Sequence, residues 1–171
     1  MKINIFALLT AILLSLSMPV LAQWDVSNSV DEMTGKTTSY CSSPVISSTK
    51  SMGFPYSDTK AWLGIGSNGD SEWVYIGFTN APNLNDTDTE DGYNVISTRV
   101  KWDDNLENQR FTQDWGAKFL NFSNDKSVIQ NIMNSNSLLV ELNWHGNGKT
   151  YFRFNLKGSS NAISQMRAKS K

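Results

Sequence analysis

The chain has 171 residues, with 15 basic and 16 acidic side chains, one cysteine and one histidine. A balance this close to neutral supplies no steering field for nucleic acid or anionic lipid. One cysteine forms no internal disulfide, and one cysteine with one histidine builds no ordinary structural zinc site.

In chain order, the first twenty-two residues form a unit of their own. Lys2 gives a positive start, Ile3 to Leu16 is almost wholly apolar, and Ser15, Ser17 and Pro19 break the run before it reaches membrane-spanning length. Val20 and Ala22 place small residues at the −3 and −1 sites of a cleavage position, the pattern of a secretory signal peptide over residues 1–22 with Gln23 as the mature start. The expected location is periplasmic or secreted, with no membrane span after cleavage. Residues 23–171 are long enough to form a single domain with its own core. Without Lys2 they carry 14 basic and 16 acidic side chains, a net charge of −2.

Turn residues are spread throughout the mature segment, as suits many short strands. Trp24 to Val30 reads as a strand, Asp31 to Lys36 as a turn with Gly35 free to take a positive φ, and Thr37 to Ile46 as the next strand. Cys41 lies within it as a small buried apolar side chain. Ser47 to Thr59, with Pro55, Gly53 and many hydroxyls, reads as a loop. Ala61, Leu63 and Ile65 then alternate with Trp62, Gly64 and Gly66. After Ser67-Asn68-Gly69-Asp70, Val74, Ile76 and Phe78 alternate with Trp73, Tyr75 and Gly77. Two such runs about an Asn-Gly turn predict a β-hairpin, and apolar groups on both sides predict that it is central and covered on both faces.

Asn80 to Gly92 reads as an acidic loop and Tyr93 to Trp102 as a strand, with Phe111 to Trp115 and Ala117 to Phe122 as shorter ones. Val128, Ile129, Ile132 and Met133 mark one face of a helix that Asn124 or Asp125 caps. A last hairpin sends Leu138, Val140, Leu142 and Trp144 inward, turns at His145 to Lys149, and returns with Phe152, Phe154 and Leu156 inward. Glu141 and Arg153 are expected as an outer cross-strand pair. Ser159 or Ser160 is expected to cap a final helix that turns Ala162, Ile163 and Met166 inward. The predicted fold is mainly β, an antiparallel β-sandwich or partly open barrel with one inserted short helix and a short C-terminal helix.

No catalytic set is visible. His145 sits in a Gly-Asn turn, there is no Gly-x-Ser-x-Gly elbow, and no cofactor is implied. Asp86, Asp88 and Asp91, with Asn85 and Glu90, are the candidates for calcium. Counted from Asp86, however, Gly92 falls at position seven rather than six, and Ser97 stands where an EF-hand has its bidentate Glu. Two of these acids could also serve an envelope hydrolase as a carboxylate pair, although no motif marks one. Six tryptophans suggest a glycan- or cell-wall-binding module. Trp102 and Trp144 fall on inward faces, whereas Trp62 and Trp73 share one side of a hairpin and are the candidate binding pair. Packing in the core or against a second sheet is the ordinary role for both.

From Tyr93 onward the chain resembles the TagO/VasI family of exported proteins associated with type VI secretion systems. The residues that carry the resemblance are Ser97-Thr98-Arg99-Val100, Leu138-Leu139-Val140, Phe154-Asn155-Leu156-Lys157-Gly158 and Ala162-Ile163-Ser164-Gln165-Met166-Arg167. The family often ends in a cysteine; this chain ends Lys169-Ser170-Lys171, so a disulfide of that kind is absent. The resemblance implies a non-enzymatic periplasmic accessory or binding protein whose partner is an envelope or secretion-system protein. It brings no catalytic residues.

Overall fold

The computed structural model describes residues 23–170, so the expected signal peptide lies outside the described residues. The strands are β1 (Asp25–Val30), β2 (Thr37–Ser42), β3 (Ile46–Ser47), β4 (Lys60–Ser67), β5 (Glu72–Phe78), β6 (Thr87–Glu90), β7 (Tyr93–Trp102), β8 (Asn105–Gln113), β9 (Phe119–Phe122), β10 (Ser137–Trp144) and β11 (Gly148–Asn155). The helices are α1 (Asp125–Asn134) and α2 (Ser159–Lys169). All the strands join one antiparallel sheet in the order β1-β2-β4-β5-β9-β8-β7-β10-β11, with β3 on β4 and β6 on β7.

The sheet curls until its far strand returns to its near half. Ser48 bridges Phe152, and the Thr49 N–H donates to the Tyr151 carbonyl at 2.8 Å, immediately after β3 has paired with β4. The result is a partly open barrel, mainly β as the sequence predicts. The inward face follows the period-two pattern closely. Leu63, Ile65, Ile76, Phe78, Leu138, Val140, Leu142, Trp144, Phe152 and Phe154 are all buried. Trp144 forms the aromatic centre, edge-on to Phe78 at 5.7 Å and to Tyr56 at 5.4 Å. Val128, Ile129 and Ile132 of α1, with Ala162, Ile163 and Met166 of α2, join the same core. These helices pack against β5 and against β1 and β2 respectively. Cys41 is buried as expected.

Several boundaries differ from the sequence reading. The strand expected over Thr37 to Ile46 ends at Ser42 and resumes at Ile46, because Pro44 between them has no N–H to give the ladder. The acidic loop Asn80 to Gly92 contains β6, which pairs with β7 through a turn at Asp91 and Gly92, both at positive φ. Phe111 to Trp115 holds only the end of β8. That strand starts at Asn105, after a tight turn in which Asp103 has φ 49°, and its first half, Asn105 to Gln109, is solvated on both faces and so carries no apolar alternation. The stretch Ala117 to Phe122 forms a strand only from Phe119.

Asn124 occupies the N-cap of α1, but its side chain makes no cap bond; Asp125 instead accepts from the Val74 N–H at 2.8 Å, tying the helix to β5. Gly158, at φ 90°, holds the N-cap position of α2. Ser159 and Ser160 lie inside that helix and donate to the Ile132 and Met133 carbonyls, both at 2.8 Å, locking α2 onto the last turns of α1.

Candidate functional site

The β4–β5 hairpin turns at Asn68, whose carboxamide accepts from the Asp70 and Ser71 N–H groups. This turn sets the register Trp62↔Gly77, Gly64↔Tyr75 and Gly66↔Trp73. Every outward aromatic therefore faces a glycine, and each ring lies down over the glycine it faces. A Cβ built on Gly77, Gly64 or Gly66 would stand 2.3 Å from the ring of Trp62, Tyr75 or Trp73 respectively. The absent side chains open the space, and the rings cover backbone that glycine leaves bare.

Two further rings stand upright beside these three. Phe119 of β9 is edge-on to Trp62 (6.3 Å, 86°) and to Tyr75 (5.4 Å, 88°), and Tyr40 of β2 is edge-on to Trp73 (6.1 Å, 78°). The face is thus a shallow trough with a floor of three rings and a wall on each side. Phe119 is 44% exposed, and Trp62, Tyr75 and Trp73 are half-buried. Burial pushes the Tyr75 phenol above its ordinary value, while a hydrogen bond from Trp62 acts the other way.

Trp62 and Trp73 therefore do share one face, as the alternation predicts, but with Tyr75 in the row between them. The expectation that a further layer covers this side is not met: among the described residues the hairpin's outer face is covered by its own rings. Tyr75, Phe119 and Tyr40 were missed as site residues. For Tyr75 a usable signal was present, since the Asn-Gly turn already places Trp62, Tyr75 and Trp73 each opposite a glycine. Phe119 and Tyr40 carry no such signal, because their places depend on which strands flank the hairpin. Trp24, Trp102 and Trp144 belong to the core. Trp115, in the β8–β9 connection, is 68% exposed.

The acidic candidates are not gathered into a site. Among the described residues no three His, Cys, Asp or Glu side chains stand together as a metal would need. Asp86, at φ 55°, accepts from the Asn143 side-chain amide at 2.5 Å; Asp88 is exposed within β6; Asp91 forms the β6–β7 turn. Glu90 pairs with Arg110, and Asn85 meets His145 Nδ1 at 3.2 Å. The β6–β7 pairing straightens this segment, so its carboxylates do not converge.

A second concavity, polar and about 560 Å³, includes Asp86, Arg99, Glu141, Asn143 and Lys149. Glu141 lies opposite Tyr151, not Arg153, which faces Leu139; the expected Glu141–Arg153 pair is therefore replaced. Arg99 grips the Glu141 carboxylate with two nitrogens at 2.6 and 3.1 Å, the Tyr151 hydroxyl donates to it at 2.9 Å, and Lys149 stands at 3.5 Å. Arg99 above all holds this carboxyl below its ordinary value. Glu141 is accordingly ionised at neutral pH and serves as an anchor rather than a proton donor.

At the helical end a groove of about 980 Å³ runs between the β4–β5 turn, α1 and α2. It is crossed by a two-pronged ion pair from Arg167 to Glu72 at 2.6 and 2.7 Å. Among the described residues no helix is long and apolar enough to cross a membrane. Comparison with protein-family models, curated proteins and solved structures returned no match.

Proposed function

We propose that this chain is an exported, non-enzymatic binding protein of the bacterial envelope, serving a type VI secretion system as an accessory, and that it meets its partner through the aromatic face of β4 and β5. The observation that carries this reading is the row Trp62–Tyr75–Trp73, flanked by Phe119 and Tyr40, held open to solvent on a rigid sheet. Aromatic side chains fixed by their own backbone contribute contact area at little entropic cost, which suits them to recognition. The signal-like amino terminus supports the location, and the resemblance of the carboxyl-terminal half to the TagO/VasI family supports the system.

The test is a deletion strain of the producing bacterium, complemented with the intact gene or with a Tyr75→Ala, Trp73→Ala double variant. Release of the type VI tube protein is followed in each strain. Loss of release on deletion, restored by the intact gene and not by the variant, is the expected result. Unchanged release in the deletion strain overturns the reading.

A further inference from the structure

We propose that the trough over β4 and β5 binds an extended, uncharged oligosaccharide strand, with sugar rings stacked on Trp62, Tyr75 and Trp73. The inference rests on the reading of this face as the partner surface, and names the chemistry of the partner.

Three features lead to it. The first is ring orientation. Rings seated over Gly77, Gly64 and Gly66 lie along the sheet and turn a π face outward. The weakly positive C–H groups on one side of a pyranose seat well against such a face. The second is spacing. The three rings occupy successive outward rows of one hairpin, so neighbouring rows are about 7 Å apart along the strands. A repeating, extended chain can meet all three rings in turn, while the upright Phe119 and Tyr40 limit its sideways slip.

The third feature is charge. Among the described residues, the outward positions flanking the floor in these rows include Ser42 on β2 and Asn121 on β9, with Ser27 of β1 beyond Tyr40. No carboxylate or cationic side chain stands on β2, β4, β5 or β9 in these three rows; Asp25 ends the middle row on β1, beside Ser42, and the exposed Lys60 lies one row beyond Trp62. Hydroxyl and amide groups beside aromatic faces match a neutral polyol, which offers donors and acceptors around an apolar ring face. An acidic polymer would meet no cation within the three rows and would face Asp25 at the end of the middle one. A lipid surface would meet a polar rim.

The experiment titrates the purified protein with cellohexaose, chitohexaose and maltohexaose, followed by tryptophan emission and by calorimetry. Saturable binding of one of the two extended hexaoses, with a shift in emission, is expected. Tyr75→Ala should weaken it about tenfold, the loss of one stacked ring. Because Tyr75 also covers Gly64, Asn121→Lys is tested alongside: it leaves the core intact, places a long cation in the trough, and should weaken binding similarly with an unchanged melting curve. No binding of either extended hexaose, binding insensitive to both variants, or tighter binding of the coiled maltohexaose overturns the proposal. If hexaoses fail to bind while the aromatic double variant still abolishes tube-protein release, the carbohydrate assignment falls and the secretion role stands. If hexaoses bind and deletion leaves release unchanged, the reverse holds.

Discussion

The indole of Trp73 lies on the backbone of Gly66, so close that a methyl group at position 66 would sit 2.3 Å from ring atoms Cε2 and Cζ2. This relationship joins the fold to the candidate site. Glycine at this position weakens strand propensity, yet it is what permits a large ring to lie flat and stay rigid.

Gly66→Ala should therefore displace the ring and destabilise the protein by about 1–3 kcal/mol, the usual cost of forcing a group into occupied space. Urea unfolding measures this. Adding Trp73→Ala to Gly66→Ala should cost less than the two single losses summed, because the clash disappears with the ring. Strict additivity would mean that the ring does not rest on Gly66.

Cys41 should be chemically silent in the native state. It is 1% exposed, and burial pushes its thiol up to about 12, with Glu72 adding to the rise and Arg167 opposing it. The thiol is thus protonated at neutral pH and out of reach of reagents. Ellman's reagent at pH 8 should label it only as fast as the chain opens, and rapidly in urea. Fast stoichiometric labelling of the folded protein would contradict this.

Glu141 should contribute to stability with a definite pH dependence. Its carboxyl lies below the ordinary 4.5, chiefly through Arg99. A carboxyl lowered on folding stabilises above its unfolded value, and the contribution is lost as pH falls through the folded one. The melting temperature of Glu141→Gln should therefore trail that of the native chain at pH 7, and the gap should close as pH drops below 4.5. A gap constant with pH would show that the carboxylate's charge is not what matters.

The Arg167–Glu72 pair should pin the last turn of α2 to the start of β5. Both groups are partly solvated, 42% and 27% exposed, so screening limits its worth. Arg167→Ala should cost about 1 kcal/mol, less at high salt. Exchanging the two residues should recover part of the loss. Hydrogen exchange of α2 amides is the sensitive reporter.

Local pattern was sufficient wherever one face of an element is buried. The inward sets of β4, β5, β10 and β11, the apolar stripe of α1 and the turns at Gly35 and Asn68-Gly69 were all legible, because burial imposes a period of two or 3.6 on the chain. The same cue failed for Asn105 to Gln109, where neither face of β8 is buried, and for Thr87 to Glu90, where charged residues pair at an edge. Asn124 does hold the α1 cap position, but the α2 cap was misplaced and the capping side chains were misjudged for a related reason. Asp125, Ser159 and Ser160 looked like local caps, but each spends its oxygen on a distant backbone group that only the folded chain brings near.

The sequence by itself determined the strands that face the core, the two helices, the buried Cys41 and the common face of Trp62 and Trp73. Only the tertiary structure decided which strands flank the hairpin, and therefore that Phe119 and Tyr40 wall the ring row. It alone also separated Asp86, Asp88 and Asp91, and gave Glu141 to Arg99 rather than to Arg153. Facing and period are properties of neighbouring residues, set by backbone geometry and burial. Sheet order, and the meeting of side chains more than forty residues apart, follow from how the whole sheet curls to close one core.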